Sequence, residues 1–73
     1  MTKPYWFKDV LKQLQKSWIE ETNAAKMYKQ RALQARQGGY SSVADMYDHI
    51  RREEEDHAEE ITEAIKDQWK MIY

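Results

Sequence analysis

The sequence predicts an all-α protein: an antiparallel two-helix hairpin that joins a second copy of itself in a four-helix bundle. Three observations carry that expectation. Two Gly and one Pro in 73 residues are too few for a turn-rich β protein. The only turn signal, Gly38-Gly39-Tyr40-Ser41-Ser42, divides the chain into two halves of similar length. Three Trp, five Tyr, one Phe and four Met form an apolar load that a lone helix pair has no second layer to cover.

The elements follow in order within a single domain spanning residues 1–73. Pro4 suits the first turn of a helix, because its missing N–H would have no intrahelical partner there. Helix one is therefore expected over about residues 4–37, beginning between Thr2 and Tyr5. Gly38 is expected to cap it in the left-handed conformation. Ser42 is the expected N-cap of helix two, with Asp45 three residues on in the manner of a capping box. The loop is then 38–42 and helix two runs over about 43–71. Each helix would be roughly 30 residues and about 45 Å long. A short connection between two such helices makes them antiparallel neighbours.

Composition removes several classes of function. Twelve basic residues balance thirteen acidic ones, so no basic footprint points to nucleic acid or an anionic membrane surface. The absence of Cys excludes disulfides, zinc fingers, iron–sulfur sites and thiol chemistry from this sequence. No apolar run approaches transmembrane length, and no signal-peptide segment is seen at the N-terminus. A cytoplasmic location, or enclosure within a protein compartment, is the expectation.

Each helix carries a charge in its apolar seam. Helix two reads Val43, Met46, Ile50, then Glu54 and His57, then Ile61, Ala64 and Ile65. Residues three apart share a helix face, so Glu54 and His57 project side by side where burial is expected. A carboxylate buried without a partner is costly, and a Glu-x-x-His on an inward face is the ligand motif of di-iron carboxylate bundles. Helix one repeats by heptads through Phe7, Leu14, Glu21, Tyr28 and Ala35, flanked by Leu11, Trp18, Ala25 and Ala32. Glu21 is the one charge among them. Folding about Gly39 or Tyr40 places Glu21 opposite Ala58 or Glu59, within about a turn of both Glu54 and His57. The same register sets Trp18 beside Ile61, Leu14 near Ile65, and Tyr28 around Arg51 to Arg52.

One hairpin thus offers two carboxylates and one imidazole. A two-metal bundle site uses one Glu from each of two helices and a Glu-x-x-His from each of the other two, twice that supply. A twofold dimer would complete both the bundle and the ligand set. Two iron ions per dimer are expected, with manganese the other metal suited to mixed carboxylate and imidazole donors.

Two segments carry a family resemblance. Glu21-Thr22-Asn23-Ala24-Ala25-Lys26-Met27-Tyr28, followed by Ala32, resembles the first metal-binding helix of rubrerythrins and encapsulated ferritins. Val43-Ala44-Asp45-Met46 through Ile50, with Glu53-Glu54-Glu55-Asp56-His57-Ala58-Glu59-Glu60-Ile61, resembles their second helix. The resemblance covers roughly residues 17–65 and implies a ferritin-like fold. Encapsulated ferritins are the nearer likeness in architecture, since they too carry half a bundle per chain. The likeness implies that Glu21 is a terminal ligand, Glu54 a bridging ligand, His57 a nitrogen ligand, and Tyr28 a neighbour with a hydrogen-bonding or redox part. It also implies a homo-oligomer, with a ring of dimers as the larger form and an encapsulating shell as a further partner. No loading tail is expected after Tyr73. Without Cys there is no rubredoxin-type iron centre, which makes an electron-relayed peroxidase cycle the lesser expectation.

The leading functional expectation is a ferroxidase-like enzyme that oxidises Fe(II) with dioxygen. Its rivals are a metal-free helical-hairpin dimerisation module and a di-metal protein that scavenges peroxide. Among single residues, Glu21 has a plainer alternative as the partner of Lys26 or Arg31. His49 is expected at the surface, and Glu53, Glu55, Glu59 and Glu60 on a solvated face, with an iron-entry path as a minor alternative for one or two of these four.

Overall fold

A computed structural model describes the backbone of residues 7–72 and the side chains of residues 8–68. Two α-helices make up the described chain, α1 (Phe7–Gln37) and α2 (Ser41–Ile72), with no strand among the described residues. The expected start of helix one at Thr2 to Tyr5 lies outside these residues. So do the side chains of Tyr5, Trp6, Phe7, Trp69, Met71, Ile72 and Tyr73. The helices run antiparallel as a rod of 58 × 16 × 12 Å. Its radius of gyration is 16.7 Å, whereas a compact domain of this length would have roughly 11 Å.

The connection is tighter than the sequence suggests. Gly39, with φ +85°, adopts the left-handed conformation, not Gly38. The N–H of Tyr40 donates to the carbonyl of Ala35 at 2.8 Å and that of Gly39 to Arg36 at 3.1 Å. That pair of bonds is a Schellman turn, which places the left-handed residue at Gly39. The Tyr40 ring lies over Gly38, where an added Cβ would meet it at 3.1 Å. Gly39 is thus required by its backbone, whereas a Cβ at Gly38 would ask only that the exposed Tyr40 ring shift slightly.

Tyr40 also starts α2, because its carbonyl accepts from the N–H of Ala44 at 2.9 Å. The expected cap at Ser42 is therefore displaced, and the loop shrinks from 38–42 to 38–40. Asp45, freed from a capping box, faces Arg36 at 3.4 Å instead.

The interior is thin. Ala25, Ala32, Ala44 and Ala58 are the buried hydrophobic residues, and among the described residues no large side chain is fully enclosed. Small residues let the helices approach closely, but they remove little apolar surface from water. Val43 and Met46, expected in the seam, are 39% and 49% exposed. Trp18, expected beside Ile61, is 42% exposed. Ala44, fully buried, takes the contact position in the first turns of α2. The seam therefore turns toward Ala44 and Ala58, and Val43, Met46, Ile50, His57, Ile61 and Ala64 line one open edge beside it.

Candidate metal centre

The three residues singled out in the seams come together. Glu21 descends from α1, while Glu54 and His57 rise from α2 one turn apart. Each offers a ligand atom, and these atoms all lie within 4.8 Å of one another. An ion with metal–ligand bonds of roughly 2.1 Å spans at most about 4.2 Å between two ligands. Small side-chain rotations would therefore close the group on an ion.

Electrostatics points the same way. Glu21 Oε2 is shut off from solvent and has no hydrogen-bond partner. The nearest candidate, His57 Nδ1, stands at 3.6 Å, beyond hydrogen-bond reach. The alternative partners for Glu21 are engaged elsewhere or absent. Arg31 sits over the ring of Tyr28, 5.7 Å from its centroid, and no Lys26 ion pair occurs among the described residues. A buried carboxylate oxygen with no donor is a lasting cost to the fold unless something positive binds there. Two carboxylates and an imidazole, the hard and borderline donors that iron and manganese take, fit such an ion.

The centre is open on one side. The His57 side chain is 51% exposed and that of Glu21 28% exposed, so the face expected to be buried is uncovered in a single hairpin. The open side is the edge lined by Val43, Met46, Ile50, Ile61 and Ala64. Unfinished polar groups and uncovered apolar groups share one surface.

Tyr28 is not grouped with these three. It lies two helical turns nearer the connection and stacks on Tyr47, ring centroids 5.9 Å apart and planes at 26°. That is a turn nearer the loop than the Arg51 to Arg52 level expected from the sequence. Tyr47 itself was not anticipated. The signal for it is a mirror relation: Tyr28 follows Glu21 by seven residues and Tyr47 precedes Glu54 by seven. In an antiparallel pair those offsets meet in the next layer. His49 is a surface residue, as expected, held by Glu53 at 2.6 Å. Glu53, Glu55, Glu59 and Glu60 are all exposed.

The opposite edge is built differently. Arg36 donates to Asp48 at 2.7 Å, Arg51 reaches the other oxygen of Asp48 at 3.6 Å, and Arg51 also pairs with Glu55. A groove of about 310 Å³ runs beside this ladder, with Ala25, Ala58 and Thr22 below and Lys26 and Lys29 at its rim. The Thr22 hydroxyl is turned back onto the carbonyls of Trp18 and Ile19 at 2.9 and 3.0 Å. No group of metal-ligating residues is found on this edge among the described residues.

Comparison with known families adds one finding. The rubrerythrin family model matches residues 12–71, which takes in nearly all of both helices and all three members of the centre. No curated protein and no solved structure matches the chain.

Proposed function

Because the chain belongs to the rubrerythrin family, within the ferritin-like di-iron superfamily, we propose that it is half of a di-iron oxidase completed by a second copy. The observation that carries this reading is Glu21 Oε2, buried and unpartnered 3.6 Å from His57 on the uncovered edge. Glu21 and Glu54 supply two carboxylates, and Glu21 Oε2 has no hydrogen-bond donor. His57 adds a nitrogen donor one turn beyond Glu54. A twofold axis along the open edge would set a second Glu21, Glu54 and His57 against the first. Four carboxylates would then match the charge of two divalent ions, and Val43, Met46, Ile50 and Ile61 would gain the layer they lack. Iron held by these residues would supply the electrons, two Fe(II) and two protons reducing one dioxygen to hydrogen peroxide, and Fe(II) oxidation is the reaction we assign. Peroxide reduction is the second reading, supported by the same family membership and the same donors.

The test uses anaerobic protein mixed with Fe(II) and then with dioxygen, followed by ultraviolet absorbance. Wild type should oxidise iron well above the rate of free iron, while Glu21→Ala and Glu54→Ala fall to that rate. Native mass measurement should show a dimer that carries metal. Variants oxidising iron at the wild-type rate would remove the assignment. Faster Fe(II) consumption with peroxide than with dioxygen would favour the second reading.

A further inference from the structure

Tyr28 and Tyr47 lie face to face across the two helices, ring centroids 5.9 Å apart and planes inclined by 26°. Both are half-buried, beneath the open edge and one layer from the Glu21 and Glu54 level. Seven residues of helix rise separate the layers, about 10.5 Å along the axis. The chain has no Cys, so no disulfide can join α1 to α2. This stacked pair sets two oxidisable side chains of different helices against each other.

We propose that Tyr28 and Tyr47 are a modification site: oxidation couples them into a dityrosine that ties α1 to α2. Each phenol loses one electron and its hydroxyl proton. The two ring radicals then join through a carbon–carbon bond ortho to the oxygens, and the displaced ring hydrogens return the oxygens to phenols. The pair gives up two electrons and two protons in all. Hydrogen peroxide, the oxidant class invoked, takes both and becomes two molecules of water. The stack holds one ring over the other, so a modest rotation brings the ortho carbons into contact. The guanidinium of Arg31, 5.7 Å above the Tyr28 ring, opposes loss of an electron from that ring. Tyr47 is therefore oxidised first, with Tyr28 following within the pair. Delivery of oxidant by bound iron rests on the reading given under Proposed function; the pairing of the rings does not.

Two arms separate these. In the first, the metal-free 73-residue chain is illuminated with a ruthenium tris-bipyridine complex and persulfate. Denatured single chains should lose the mass of two hydrogens, gain dityrosine fluorescence, and yield one cross-linked peptide joining residues 28 and 47. Tyr28→Phe and Tyr47→Phe should lack this product, and Tyr40→Phe should keep it. The cross-linked chain should also melt at a higher temperature, because the tie restricts the unfolded state. In the second arm Fe(II) and hydrogen peroxide replace the light, with Glu54→Ala as the control. Absence of the product from the first arm, or its persistence in Tyr47→Phe, overturns the proposal. Its appearance in the first arm alone upholds the pair and counts against the di-iron reading.

Discussion

The two edges of this hairpin are made of the same materials and finished to different degrees. On one, Arg36, Asp48, Arg51 and Glu55 satisfy each other in a ladder that crosses between the helices. On the other, Glu21, Glu54 and His57 converge and Glu21 Oε2 is left with no donor. The exposed members of the ladder could have turned to water had the helices not held them. The buried oxygen of Glu21 has no such recourse. An unserved carboxylate oxygen on the edge that also carries the uncovered Val43 and Met46 is the observation from which the proposal of a metal and a second copy proceeds.

The largest effect that sharpens this contrast comes from Glu21→Gln, melted with and without Fe(II) under anaerobic conditions. At metal concentrations of 100 times Kd, linkage adds about 2.7 kcal/mol to the wild type. The variant should lose most of that increment while its metal-free form melts slightly higher than the wild type, since an unpartnered carboxylate has gone. A metal-free form that melts lower would mean that Glu21 has a protein partner after all. Ala44→Leu probes the core common to both edges. Ala44 is fully buried at the helix contact, so the added bulk should cost about 1–3 kcal/mol in denaturant unfolding. A neutral result would show that the helices can part without penalty. Smallest is Arg36→Ala on the finished edge, expected to cost under about 1 kcal/mol in urea melts. Arg36 is 49% exposed and its partner Asp48 26%. A loss as large as that of Ala44→Leu would make the ladder, not the alanines, the principal clasp.

Much of the centre was legible because helical spacing is rigid. Glu54 and His57, three apart, share one face of α2 whatever the loop does, and the level of Glu21 follows from the position of the single turn signal. The details near the loop were harder. Gly38 and Gly39 read alike in sequence, and it is the pair of Schellman bonds that gives the left-handed conformation to Gly39. Ser41 and Ser42 are better caps by propensity than Tyr40. They lose because the Tyr40 N–H is already bound to Ala35, which leaves its carbonyl aimed at α2. Val43 and Met46, expected in the seam, stand exposed in the single hairpin for another reason. An apolar stripe gives the direction of burial only when the layer that covers it is known, and here that direction is divided between Ala44 and the open edge. The dimer is inferred from stoichiometry, and the single hairpin does not contain it.

Tyr40 deserves a mechanical reading. Its amide is fastened to α1 and its carbonyl to α2, so the two helices share one residue as a rigid coupling with no slack between them. Such a coupling works like the key between two shafts. Each residue added there would turn α2 by about 100° against α1. Glu54 and His57, far along the second shaft, would then swing away from Glu21. The phase of a metal centre in mid-helix is set by a connection three residues long at the far end of the rod.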